Sequence, residues 1–230
     1  MFFDPNYIIF VLLPTLVISG LAQAWVRGAY QKWSNVPNSK RVTGQQTAQI
    51  LMRDGGIQRV ELEMGKAELS DHYDPRAGVV RLSPAVATQP SVASMAIAAH
   101  EFGHVQQDQQ KSALMALRAM LIPSATLGPQ LGIGLIIAGL ILNVTGLAVV
   151  GLLLFAGATV FTVVTLPVEL DASRRAMKLL RDTGLIASEQ DAAGAKAVLR
   201  AAAFTYVAAV ATSLLTLLYY AMLVFGRNRD

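Results

Sequence analysis

Hydrophobic and polar positions divide this chain into long apolar runs and one polar stretch. Apolar residues dominate Tyr7 to Val26, and a second run covers Ala201 to Phe225. Between Arg118 and Glu169 there is no Asp, Glu, Lys, Arg or His at all. That uncharged block is long enough to cross a bilayer twice, at roughly 20 residues per crossing. Asn143-Val144-Thr145-Gly146 supplies the turn between the two crossings. Gly128, Gly132, Gly139, Gly151 and Gly157 suit close helix packing in lipid, and Pro123 and Pro129 should kink or delay the second span. The pattern predicts four transmembrane helices.

The polar stretch reads differently. Thr43 to Met52 predicts a short amphipathic helix capped by Thr43 and stopped at Gly55-Gly56. Gln58 to Met64 and Gly78 to Leu82 alternate or are β-branched, with turn residues between them, and predict two short strands. Ser83-Pro84 opens a brief helix, and Ser91 caps a longer one running to Lys111. After Glu169 a polar helix runs to about Leu180, Asp182-Thr183-Gly184 stops it, and Ser188 to Asp191 forms a capping box for the last helix. The fold expected is a mostly α membrane protein with a small α+β module inserted between helices 1 and 2. The divisions are 1–26 (first span), 27–114 (the module), 115–168 (a hairpin of spans two and three), 169–200 (helix and linker) and 201–230 (fourth span and tail).

Composition agrees: 53% of the 230 residues are hydrophobic and 15% charged, against about 25% charged for soluble domains. The first run lacks a positive flank and an obvious cleavage site, so it reads as a retained helix rather than a signal peptide. Trp25, Tyr30 and Trp33 beside Arg27 and Lys32 mark a membrane–water interface. Basic residues cluster after span one (Arg27, Lys32, Lys40, Arg41) and after span three (Arg174, Arg175, Lys178, Arg181), which places both loops in the cytosol and the amino terminus outside. Arg227 and Arg229 would then lie outside, against the trend. The location expected is a bacterial cytoplasmic membrane, crossed several times, with the polar module on the cytosolic face. The net charge of +4 reports topology rather than nucleic-acid binding. With no Arg-rich stripe, glycine-rich phosphate loop or GxSxG elbow, the enzyme classes built on those are unsupported.

The candidate chemistry lies in His100-Glu101-Phe102-Gly103-His104, which holds two of only three histidines. Residues four apart share one helix face, so both imidazoles can reach one metal ion. Glu101 is then placed to take a proton from metal-bound water. Cysteine is absent, so a zinc site must use His and carboxylate. A catalytic zinc takes three protein ligands, and the third is either His72 or a downstream carboxylate. Because spans two and three form a hairpin, Glu169 returns to the membrane face that His104 left, which makes it the favoured ligand. Asp171 lies about 200° round a helix from Glu169. It is assigned a supporting role, accepting a hydrogen bond from a ligand histidine, with the reverse assignment left open.

Pro167 to Arg175, His100 to His104, and Asp71-His72-Tyr73-Asp74-Pro75 followed by Val80-Arg81-Leu82-Ser83 together resemble the YugP-type family of bacterial membrane zinc metallopeptidases. The similarity covers nearly the whole chain. It implies a zincin-like module with one Zn2+ per chain and peptidase activity. A wider similarity to gluzincins implies a downstream Glu as third ligand, with an acid four residues later. Here that position is Ser173.

The expected activity is that of a zinc metalloendopeptidase cleaving peptide bonds of membrane or membrane-proximal proteins. Zinc is held by His100, His104 and Glu169, Glu101 is the general base, and His72 or Tyr73 donates to the oxyanion. Strand Val79 to Leu82 is a candidate edge for extended substrate. One rival is a zinc hydrolase of another amide or ester; another is a scaffold or assembly partner that retains structural zinc, favoured if His72 completes a four-ligand set. Expected partners are a protein or peptide substrate and the bilayer, with room for a membrane-protein partner or a homo-oligomer, and no nucleic acid.

Overall fold

The computed structural model describes residues 4–67 and 70–226. Among the described residues, seven helices and three strands follow one another as α1 (Pro5–Ser34), α2 (Gly44–Asp54), β1 (Glu61–Met64), β2 (His72–Asp74), β3 (Val79–Leu82), α3 (Pro84–Thr88), α4 (Val92–Gln109), α5 (Ala113–Ile141), α6 (Thr145–Asp182) and α7 (Glu189–Gly226). The protein is mostly helical with one small sheet. Helices α1, α5, α6 and α7 are each long and apolar enough to cross a membrane. The tail cations Arg227 and Arg229 lie outside the described residues.

The chain forms two compact units. One comprises the chain up to Gln23, Ala113–Pro167, and the chain from Thr205 onward. Its helices approach closely where the sequence supplies glycine. A Cβ on Gly132 would stand 2.9 Å from the Gly151 carbonyl oxygen, and one on Gly151 would stand 2.6 Å from the Gly132 carbonyl oxygen. Gly128 faces the Leu154 backbone in the same way, and Gly139 faces Ala148. Only residues without a side chain allow such approach, and dispersion between the two backbones replaces contacts that lipid would otherwise make. Ile136, Leu140, Leu152, Tyr219 and Val224 pack into the core of this unit. The turn at Asn143, in the left-handed region at φ 58°, separates α5 from α6 as expected. Pro123 and Pro129 lie inside α5 rather than delaying it. Neighbouring residues in a membrane helix can take up the backbone groups a proline frees.

The second unit comprises Ala24–Ser112 and Val168–Phe204. Its sheet has the order β1-β3-β2, with β1 parallel and β2 antiparallel to β3. The short strand β2 sits in the segment expected to be only a turn. The central position of β3 corrects its expected role, because both of its edges are already paired and cannot accept a substrate strand. Leu51, Val80, Val86, Met95, Phe102, Val105 and Leu180 build the core. Thr43 and Gln46 close a capping box on α2, and the Ser91 hydroxyl accepts from the Ser94 amide at the start of α4.

Tyr30 and Trp33 pack against this core, so only Trp25 of the expected interfacial trio is exposed, its ring tilted at 52° against Phe204 with 5.0 Å between centroids. The buried Asn38 side chain donates to the Val42 and Ser91 carbonyls and fixes the segment after α1 against the start of α4. A buried amide with every bond satisfied holds a loop in one geometry. At the start of α7 the Asp191 carboxylate accepts from the Ser39 and Ala187 amides while its own amide donates to Ser188.

Candidate metal centre

The helix α4 carries His100-Glu101-Phe102-Gly103-His104 along its buried middle. Phe102 and Val105 point into the core. His100 and His104, one turn apart, therefore share a different face, with ring centroids 4.8 Å apart and planes nearly perpendicular.

Across from them runs α6, which continues without a break through Pro167 to Asp182. Glu169 is thus carried by a long helix rather than by a loop. Two small residues let the helices touch. A Cβ on Gly103 would collide with the Ala172 carbonyl oxygen. Ala172 lies three residues after Glu169, so this contact brings the Glu169 carboxylate to the two imidazoles. The neighbour that Gly103 meets is thus a helix.

The Glu169 Oε2 atom lies 3.2 Å from His100 Nε2 and 3.4 Å from His104 Nε2. Among the described residues, one group of three or more potential metal ligands emerges: His100, His104 and Glu169, with ligand atoms within 4.8 Å of one another. Two donors bonded tetrahedrally to one zinc stand about 3.4 Å apart, so these separations fit that ion. Two neutral imidazoles and one carboxylate are also the donor set of an open catalytic zinc site. All three side chains are buried or nearly so.

The free ring nitrogens of both histidines have partners. His104 Nδ1 lies 3.0 Å from Gln107 Oε1. The Gln107 amide nitrogen in turn donates to the Val168 carbonyl at 2.8 Å and to Asp171 Oδ2 at 2.9 Å. His100 Nδ1 lies 3.3 Å from the Ser173 hydroxyl. Such contacts orient a metal-ligating ring and select its tautomer. The expected bond from a histidine to Asp171 is therefore corrected: it passes through Gln107. Asp171 also accepts from Arg175 at 2.6 Å, and Arg175 reaches back to Gln106 on α4 and to Gln110 just past its end. Arg175 thus clamps α4 to α6.

Gln107 was not singled out from the sequence, and Ser173 figured there only as the non-acidic residue four after Glu169. Their signal is helical spacing alone, since Gln107 follows His104 by three residues and Ser173 follows Glu169 by four.

Negative charge dominates the site. Burial works against protonation of His104, but the Glu169 and Glu101 carboxylates outweigh it and hold the imidazole pKa above its ordinary 6.5. The same field favours a bound cation. Glu101 is buried, and that burial raises its pKa above the ordinary 4.5, against the lowering effect of the two histidines.

The other candidates sit apart from this set. His72, on strand β2, is exposed, with Nδ1 2.7 Å from the Ser70 carbonyl and Nε2 3.4 Å from Arg81. It is not a member of the ligand group. Tyr73 donates to Asp108 at 2.8 Å, tying β2 to the end of α4. Asp71 accepts from both the amide and the hydroxyl of Ser83.

Comparison with known proteins agrees with this geometry. The chain is 36% identical over 222 residues to the "Putative membrane protease YugP" of Bacillus subtilis strain 168, covering 96% of this chain and 98% of that protein. No solved structure matches it. A family profile described as "Putative neutral zinc metallopeptidase" matches residues 7–225, and the chain belongs to that family.

Proposed function

We propose that this protein is a membrane-bound zinc metallopeptidase that cleaves peptide bonds of membrane or membrane-proximal proteins. The observation that carries the reading is the convergence of His100 Nε2, His104 Nε2 and the Glu169 carboxylate, with Glu101 on the same helix turn. His100, His104 and Glu169 would hold one zinc, leaving a position for water and substrate. Zinc in such a site acidifies its bound water and polarises the scissile carbonyl.

Glu101 accepts the proton of the attacking water on its carboxylate and later delivers it to the leaving amine nitrogen. A partly desolvated carboxylate with a raised pKa is a stronger base for that transfer. Gln107 and Ser173 keep the two imidazoles turned with Nε2 inward. Asp171 acts behind Gln107. The oxyanion donor expected from the sequence, His72, is exposed on edge strand β2 and outside the ligand group, and is taken as donor only when substrate is bound beside it.

Residues 27–114 form the zincin-like module and Glu169 supplies the third ligand from the segment 169–200. The spans are 1–26, the hairpin 115–168, and 201–230. The basic residues that flank the spans orient the site towards the cytosol of a bacterial membrane.

The test is hydrolysis of a peptide panel and a lipid-ester panel by detergent-purified protein, beside Glu101→Gln and a chelated sample. Peptide cleavage lost in both, with zinc retained in Glu101→Gln, supports the reading. Cleavage that persists in Glu101→Gln sinks the mechanism. Ester cleavage without peptide cleavage transfers the site to another hydrolase class.

A further inference from the structure

A cavity of about 600 Å³ opens between α6 and α7 within the second unit, and its wall includes Ser173, the residue behind His100. Its rim is cationic: Arg174, Lys178, Arg181, Lys196 and Arg200 line it, against a single acid, Asp182. Lys178 is paired with Asp182 at 2.6 Å and Arg174 with Asp171 at 3.2 Å. None of the ion pairs among the described residues involves Arg181, Lys196 or Arg200. Three cations of like sign around one opening repel one another, and a bound anion relieves that repulsion.

The cavity floor is apolar, made by the buried Leu199 and Ala203 and the half-buried Met177, with the exposed Leu170 at its edge. Its place along both helices is equally specific. Arg200 is the last charged residue of α7 before an uncharged run to Gly226. On α6, Arg174 is the first cation after the uncharged block that begins beyond Arg118. The cavity thus stands where each helix changes from charged to lipid-compatible sequence, which is the headgroup level of a bilayer.

We propose that this cavity binds one anionic phospholipid, its phosphate among Arg181, Lys196 and Arg200 and the start of its acyl chains on the Met177–Leu199–Ala203 floor and the Leu170 edge. An apolar floor beneath a cationic rim at headgroup depth fits an amphiphile better than a free anion, and the volume lies in the ordinary range for a ligand site. The assignment does not depend on the peptidase reading, because it concerns the side of His100 away from Glu169.

The test is native mass spectrometry of the full chain released from nanodiscs of equal parts phosphatidylcholine and phosphatidylglycerol. Wild type should retain one phosphatidylglycerol in preference to phosphatidylcholine. The double variant Lys196→Gln/Arg200→Gln, both exposed positions, should lose that retention by about tenfold or more. Arg53→Gln/Arg76→Gln, of equal charge change but outside the cavity, should retain the lipid as wild type does. Equal retention of the two lipids, equal loss in the two double variants, or displacement by millimolar inorganic phosphate would each overturn the proposal. The last would identify a free-phosphate site instead.

Discussion

Gly103 presses against the carbonyl of Ala172 so closely that no side chain fits between them. This contact between α4 and α6 sets the distance from the HEFGH helix to Glu169, and it explains why a glycine stands between His100 and His104.

Gly103→Ala should therefore force α4 from α6. Inserting a methyl against fixed backbone costs about 1–3 kcal/mol, and the displaced Glu169 leaves zinc with two ligands. Thermal unfolding should show lower stability, and zinc content after dialysis should fall well below that of wild type. Unchanged metal content would mean that the helices adjust without loss of the site.

Gln107 outranks Asp171 in contact with the two histidines, since Gln107 touches His104 and Asp171 touches only Gln107 among these groups. Loss of an orienting partner of a metal-bound histidine typically costs 10–100-fold in metal affinity. Gln107→Ala should fall in that range by competitive chelator titration, and Asp171→Asn should lose less. Ser173→Ala should weaken zinc through His100 by a smaller factor, because its contact is longer at 3.3 Å. A larger loss in Asp171→Asn than in Gln107→Ala would reverse the proposed order.

Glu101 should oppose stability while serving chemistry. Burial raises its pKa in the folded protein above the ordinary 4.5, so the protonated form favours folding and ionisation works against it. That contribution is fully present below the unfolded pKa and is lost as pH rises through the folded one. At neutral pH in chelator, Glu101→Gln should therefore unfold at a higher temperature than wild type, by about 1–2 kcal/mol equivalent. The difference should shrink as the pH is lowered below the raised folded pKa of Glu101. A variant less stable than wild type at neutral pH would show that the carboxylate is compensated in the fold.

The local sequence determined much of this protein because the interactions concerned are local. Four long apolar helices follow from the absence of charge over runs long enough for a bilayer. The pairing of His100 with His104 follows from helical period, and the caps at Thr43 and Ser91 follow from side chains that bond amides two or three residues away. Helix contacts at Gly128, Gly132, Gly139 and Gly151 were legible for the same reason, since only glycine permits backbone approach. Tertiary structure decided what depends on residues distant in sequence. It made β3 a central strand, because pairing on a second edge comes from β2, only three residues long and without an alternating pattern. It drew Tyr30 and Trp33 partly onto the core of the second unit, a contact that their local sequence does not show. It interposed Gln107 between His104 and Asp171, sixty-four residues apart in the Gln107–Asp171 bond, where only the packing of α4 on α6 sets which polar atoms meet.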